Sequence, residues 1–256
     1  MRIHSIETLG AVDGPGLRCI VFLQGCHLRC RYCHNPDAQD FVGGREIASG
    51  ELRRRLVRMK EYFGPDHAPG NEHPTGGVTL SGGDPLASPD TTDAILDICR
   101  AEAIHTAIDT AGGFASGQEA DCLATAAKAD MLLLDIKHPD PDTCRRLTGQ
   151  GPDGALALLG QAERIGQPVW IRHVIAPGWS DRGTLKDLAD LIRPYACVRR
   201  IELIGFHRLG CEKYAALGRQ YPMGDTPSLP GRWLLSKDGD ISPASATCTA
   251  DIPPIP

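Results

Sequence analysis

Six short runs of β-branched and aliphatic residues, at 17–24, 77–81, 105–109, 131–136, 169–174 and 200–204, alternate along the chain with amphipathic stretches at 50–63, 91–103, 118–128, 155–165 and 184–193. Strands separated by helix-length crossovers pair in parallel, and each helix must cover the sheet to bury its apolar stripe. Helix starts are marked by Ser88-Pro89-Asp90 and Ser180-Asp181, and Gly166 marks a stop. The result is an α/β fold, either an open doubly wound sheet or a partial barrel; periodicity does not choose between them. Residues 64–77, rich in Gly, Pro and His, read as a long loop. From about Tyr221 the pattern fades into Pro, Ser and Thr, with Trp233-Leu234-Leu235 the only short apolar run. A folded domain over 1–221 and a weakly ordered tail over 222–256 are therefore expected.

Composition narrows the function classes. With 256 residues, 41% hydrophobic and 23% charged, the chain can bury a full-sized core. A net charge of −5 argues against nucleic acid as a partner, and the basic cluster Arg53–Arg55 with Arg58 and Lys60 reads as a solvated helix face. No apolar run approaches the roughly 18 residues of a membrane span. Met1-Arg2-Ile3-His4-Ser5 does not open a signal peptide, so a cytoplasmic protein is expected. Of ten cysteines, Cys26, Cys30 and Cys33 are clustered and the other seven stand singly. That distribution points to metal or redox chemistry at the cluster and to small buried hydrophobes elsewhere.

The polar and glycine-rich residues fall repeatedly at the carboxyl ends of the expected strands, the rim where parallel α/β folds bind ligands. The cysteine cluster follows the first strand and Ser81-Gly82-Gly83-Asp84-Pro85 the second. Asp109-Thr110-Ala111-Gly112 and Asp135-Ile136-Lys137 end the third and fourth, Arg172 and His173 lie in the fifth, and His207 follows the sixth.

Cys26-X3-Cys30-X2-Cys33 puts three soft ligands on one short loop, suited to an iron–sulfur cluster or zinc. Structural zinc wants four closed ligands, and the chain has no second cysteine pair at metal spacing, although His27 or His34 would complete a shell. Three cysteines instead leave one iron of a 4Fe–4S cubane without a protein ligand, as a catalytic centre requires.

The string Gly25-Cys26-His27-Leu28-Arg29-Cys30-Arg31-Tyr32-Cys33-His34-Asn35-Pro36-Asp37 resembles the radical S-adenosylmethionine superfamily. With Asp13-Gly14-Pro15-Gly16-Leu17-Arg18 beside it, the chain resembles the activases of glycyl radical enzymes, from about Ile3 to Gly218. The resemblance implies a partial (β/α)6 TIM-like barrel, one 4Fe–4S cluster and S-adenosylmethionine. It also implies the activity: the reduced cluster cleaves S-adenosylmethionine to a 5′-deoxyadenosyl radical, which takes hydrogen from a backbone glycine of a partner enzyme. Pyruvate formate-lyase is the favoured partner, because residues 64–77 lack the cysteines that many other activases insert there and the chain is longer than the short activases of anaerobic ribonucleotide reductase. A monomer and a low-potential electron donor such as flavodoxin are also implied.

Position by position, the resemblance gives the cluster to Cys26, Cys30 and Cys33, and the adenine to Tyr32 and His34. Gly82 and Gly83 would admit backbone close to the methionine moiety, whose ammonium Asp84 would receive. Asp135, Ile136, Lys137 and His207 would contact the cofactor, with Arg172 as a carboxylate partner. Asp109, Thr110 and Asp135 match a family site for a monovalent cation. Asp13, Gly14, Gly16 and Arg18 would grip the partner's peptide, since glycines permit the close backbone approach that a reaction at Cα needs. Blander readings exist for several of these: a tight turn at Gly82-Gly83, an ion pair for Asp135 and Lys137, a structural salt bridge for Arg172. The chain departs from the family in carrying Asp84 where Glu is usual and Ala111 where Asn is usual, and in replacing the closing amphipathic helix by the Pro-rich tail. Rival functions are an activase of another glycyl radical enzyme, a radical enzyme acting on a small molecule, and a noncatalytic iron–sulfur or zinc module.

Overall fold

The computed structural model describes residues 1–244. Six parallel strands form its centre: β2 (Leu17–Leu23), β4 (Gly76–Gly82), β5 (Thr106–Thr110), β6 (Met131–Asp135), β7 (Val169–Ile175) and β8 (Val198–Gly205). They pair in sequence order, and helices α1 (Ser49–Met59), α2 (Pro89–Ala101), α3 (Glu119–Ala126), α4 (Pro141–Thr148), α5 (Asp153–Ile165) and α6 (Arg182–Ile192) make the crossovers. Among the described residues β2 and β8 do not meet. β1 (Arg2–Gly10) lies antiparallel on β2, and β3 (Arg45–Glu46) on β1. On the far side β9 (Arg232–Leu235) lies antiparallel on β8, and β10 (Ile241–Pro243) on β9. The arc is thus a (β/α)6 partial barrel with an open side, the second of the two architectures that the alternation allowed. α7 (Cys211–Ala216) follows β8.

The expected strands and helices recur with small shifts at their ends, for identifiable reasons. Leu185, Leu188, Ala189 and Ile192 of α6 are buried, as are Ile95, Leu96 and Cys99 of α2, so each helix turns one stripe to the sheet. Asp181 caps α6 in a reciprocal capping box with Thr184, worth about 0.5–2 kcal/mol. Gly166 ends α5 in the left-handed conformation (φ 70°). Strand residues alternate. Val21, Leu80, Ile108, Leu134, Ile171 and Leu203 belong to the core that includes the helices' buried stripes. Thr79, Asp109, Asp135, Arg172 and Glu202 take the opposite face, so the inside of the arc carries charge towards its carboxyl rim, above a small apolar cluster of Ala107, Met131 and Leu133.

One expectation is corrected here. From 222 to 244 the chain is not a loose tail: β9 and β10 extend the sheet, Trp233 is 1% exposed, and its ring packs beneath Gly231. Three apolar residues suffice because β8 supplies both the backbone partners and the hydrophobic floor. The remainder of that expected tail, 245–256, lies outside the described residues. Of the isolated cysteines, Cys19, Cys99, Cys122, Cys144 and Cys197 are buried and unbridged, Cys211 is half-buried, and Cys248 lies beyond the description. No helix among the described residues is long and apolar enough to cross a membrane.

Candidate active site

The cysteine loop leaves β2 through Gly25 (φ 106°) and is fixed along its length by main-chain bonds. Gly25 N–H donates to Ala38 (2.8 Å) and Cys26 N–H to Gln39 (3.0 Å). At the tip, Arg29 and Arg31 donate to the carbonyls of Thr148 and Leu147 at the end of α4 (2.6 and 2.9 Å). Gly82 and Gly83 serve this anchorage: a Cβ on Gly83 would lie 2.2 Å from the Gly25 carbonyl oxygen, and one on Gly82 2.3 Å from Leu23. The glycine pair therefore lets β4 abut the root of the loop, and Gly82 also lines the cleft described next.

Cys30 and Cys33 face a cleft of about 280 Å³ at the carboxyl rim, and Cys26 is buried behind them. Burial pushes all three thiols up, Cys30 to about 12. No three His, Cys, Asp or Glu side chains among the described residues converge on one ion. Ligands that do not share a single ion suit a cubane in which each sulfur takes a different iron, and they do not make a closed zinc shell.

The cleft gathers Asp13, Tyr32, His34, Asp109, Asp135, Lys137, Arg172 and His207 from six separate segments. Lys137 Nζ lies 2.8 Å from Asp135 Oδ2 and 5.9 Å from the centre of the Tyr32 ring. Burial alone would lower this ammonium, but Asp135, Tyr32 and Cys30 hold it well above its usual range. Asp135 and Lys137 are thus a half-buried pair lining the site, not a surface one. Tyr32 is buried and its hydroxyl has no partner among the described residues, a donor left over for a ligand. His34 and His207 stack with centroids 3.9 Å apart and planes 11° from parallel, and His34 Nε2–H donates to the His207 carbonyl. Burial, then the neighbouring ring, pushes His34 down to about 4; burial also lowers His207, so both rings are neutral near pH 7.

Arg172 is held, not free. It meets Asp109 (3.2 Å), Glu202 (3.7 Å) and Asp13 (3.8 Å), and donates to the Val12 carbonyl at 2.6 Å. Burial would lower it, but these carboxylates and Asp135 raise it above its ordinary value. Asp109 takes a bond from Ser81 Oγ (2.8 Å), keeps its Oδ1 unpartnered, and is raised by burial against the pull of Arg172.

Several expected site residues lie elsewhere. Asp84 does not line the cleft: its carboxylate accepts from Leu86 N–H (3.0 Å), Thr110 Oγ1 (2.8 and 3.0 Å) and Ala111 N–H (3.1 Å). The short side chain is consumed in tying the end of β4 to the end of β5, and Thr110 is turned to Asp84, away from the pair Asp109 and Asp135. Burial pushes Asp84 up to about 6, with those donors opposing. Ile136 is fully buried in the hydrophobic core. Asp84→Asn sets an amide NH2 against a main-chain N–H, and we expect a loss of about 2 kcal/mol. Thermal melts matching the unsubstituted protein would refute this latch.

Arg18 is also absent from the cleft. It is fully buried, with Nε donating to Thr79 Oγ1 (2.7 Å), Nη2 to the Val78 carbonyl (2.6 Å) and Nη1 toward that of Pro15 (3.4 Å). Thr79 passes the contact on, donating to the Asp13 carbonyl at 2.6 Å. No carboxylate pairs with Arg18 among the described residues, and burial lowers it to about 10. Arg18 thus holds the 13–16 turn from beneath. Gly14 and Gly16 of that turn line a second cavity, of about 790 Å³, which shares Ile204, His207 and Arg232 with the cleft. Sequence reading missed Thr79, Glu202 and Arg232; only the period of two along β4 and β8 signalled the first two.

The family model of the radical SAM superfamily matches residues 20–192. A pyruvate formate-lyase-activating enzyme of Clostridium pasteurianum is 44% identical over 230 residues, 89% of this chain and 91% of that protein. One from Staphylococcus aureus (strain USA300) is 39% identical over 229 residues, 88% of each. Among solved structures, Streptococcus suis SuiB bound to the precursor peptide SuiA superimposes with a TM-score of 0.59 at 18% identity, over 75% of this chain and 40% of that longer one. SuiB bound to S-adenosylmethionine gives 0.56, also at 18% identity, over 72% of this chain and 39% of that one. At such identity these two speak for the fold alone.

Proposed function

The chain belongs to the radical SAM superfamily, and on that footing we propose that it is an activating enzyme for a glycyl radical enzyme, pyruvate formate-lyase. When bound, the reduced 4Fe–4S cluster and S-adenosylmethionine supply the 5′-deoxyadenosyl radical that takes hydrogen from a glycine Cα. The protein's part is to hold, orient and exclude water. Cys26, Cys30 and Cys33 hold the cluster on a loop fixed at both ends by main-chain bonds. Tyr32 and the neutral rings of His34 and His207 offer flat and polar faces to the adenosine. Asp135 and Lys137 offer opposite charges to the zwitterionic methionine end. Asp109 and Asp135, with the Thr110 main chain, remain the candidate monovalent-cation site. Asp13, Gly14 and Gly16 present the partner's peptide, and Arg18 acts through them as a positioning residue.

The observation that carries this reading is adjacency. The cysteine loop and the 13–16 turn open into two cavities that share three residues, so a peptide beside the turn reaches the cleft. A metal-storage module has no use for a second cavity there. We further propose a cytoplasmic monomer that draws its electron from a donor such as flavodoxin. The test is anaerobic: the protein with iron–sulfur cluster rebuilt, S-adenosylmethionine, reductant and pyruvate formate-lyase are mixed and frozen for electron paramagnetic resonance. A glycyl doublet on the partner, with 5′-deoxyadenosine formed alongside, is expected. Deoxyadenosine without the doublet would transfer the chain to another glycyl radical partner or substrate. Neither product would remove the enzymatic reading.

A further inference from the structure

The second cavity is a groove whose two sides come from opposite ends of the chain. Val12, Gly14 and Gly16 form one side, and Leu209, Pro230 and Trp233 the other. Its lips are apolar and exposed, Val12 at 50% and Leu209 at 81%. Exposed apolar side chains beside a concave surface mark a surface that meets another molecule. At the inner end stands Arg232, which lines both groove and cleft.

Arg232 differs from the other arginines of the interior. Arg18 and Arg172 donate at 2.6–2.7 Å to fixed acceptors. Arg232 has only long contacts among the described residues, 3.5 Å to the Val12 carbonyl and 3.9 Å to Glu202 Oε2, and Glu202 is already shared with Arg172 and Arg200. Its side chain is 34% exposed. Burial and the neighbouring Arg172 lower it, as befits a cation short of acceptors. Its backbone is fixed nonetheless: Arg232 pairs with Ile204 across β8, Gly205 N–H donates to Gly231 (2.9 Å), and Ala244 N–H donates to the Arg232 carbonyl (3.1 Å). A rigid strand therefore presents a fork of donors whose acceptors are still to come.

We infer that Arg232, carried by the β9–β10 hairpin to the junction of groove and cleft, grips the partner's glycine-bearing peptide by its main-chain carbonyls. The inference rests on the function proposed above. A reaction at a glycine Cα offers the enzyme no side chain at the reacting residue, so the segment must be held by its backbone and by apolar neighbours on either side. The groove supplies apolar lips for the neighbours, glycines that allow close approach, and one cationic donor next to the cleft. Continuity with the cleft selects this occupant over a second copy of the chain, which gains nothing from reaching it.

The test uses the rebuilt holoenzyme and a blocked heptapeptide with the glycine-loop sequence of Clostridium pasteurianum pyruvate formate-lyase. Arg232→Gln should raise the KM for this peptide about tenfold, as expected for losing one charge-assisted bond. Arg232→Lys, which keeps the charge and guards against misfolding of the first variant, should recover part of the loss. The Kd for S-adenosylmethionine, measured by calorimetry, should move far less. An unchanged peptide KM would overturn the inference, as would a shift confined to the S-adenosylmethionine Kd, which would give Arg232 to the cofactor. If the unsubstituted enzyme forms deoxyadenosine but no glycyl radical on peptide or partner, the proposed function fails first and takes the inference with it. A radical yield indifferent to Arg232 sinks the inference alone.

Discussion

Replacing Cys30 by alanine should abolish both the visible absorbance of thiolate-bound iron and the formation of 5′-deoxyadenosine, while leaving the far-ultraviolet circular dichroism intact. The chemistry fails because two thiolates cannot hold a cubane against solvent and chelators. The fold survives because main-chain bonds, not metal, fix the loop: Gly25 and Cys26 to Ala38 and Gln39, Arg29 and Arg31 to the end of α4. Cys26→Ala and Cys33→Ala should behave alike. By contrast Cys19→Ala, Cys99→Ala or Cys197→Ala touch thiols packed in the core, and should cost stability without removing iron. A Cys30→Ala protein that kept its full iron content would displace Cys30 from the ligand set.

Arg18→Met should be the most damaging change outside the cysteines. It leaves Thr79 Oγ1 and the Val78 carbonyl without their donor in a buried region, and frees the half-buried Pro15 carbonyl. We expect a loss of about 3 kcal/mol, since hydrogen bonds to a charged group are worth roughly 1.5–3 kcal/mol each and methionine recovers part by packing. The second readout separates a positioning role from a merely structural one. Because the contact runs through Thr79 to the Asp13 carbonyl, the peptide KM should rise even at temperatures where the variant is fully folded. Thr79→Val should reproduce that rise with a smaller stability loss. If Thr79→Val leaves the peptide KM unchanged, Arg18 supports the fold and nothing more.

Legibility in the sequence followed the range of the interactions concerned. β6 and α6 could be read because their apolar residues sit at the period of the element and its helix caps are local. α4 was missed although Asp140-Pro141 begins it and Gly149 ends it in the left-handed conformation, because eight residues with two buried apolar side chains carry little periodicity. β1 and β9 were missed because they are flanking antiparallel strands: β1 buries only Ile3 fully, and β9 is four residues long amid Pro and Gly. At the site, three cysteines within eight positions announced their chemistry without help from the fold. The role of Arg18 depends on Thr79, 61 residues away, and that of Asp84 on Thr110 and Ala111, 26 and 27 residues away. A motif names such residues but not which neighbours will use up their donors and acceptors.

The two outermost strands of the sheet are its shortest. β3 is the charged pair Arg45–Glu46, and β10 is three residues ending in Pro243, which has no N–H to offer. Long, flat strand margins invite chains to add to one another without limit, and brevity, charge and proline each blunt that tendency. A protein whose work is to seize an extended stretch of another polypeptide and release it again needs such protection more than most. Here the outer margins of the sheet are left poor templates for polymerisation, while the groove stays open to an extended segment.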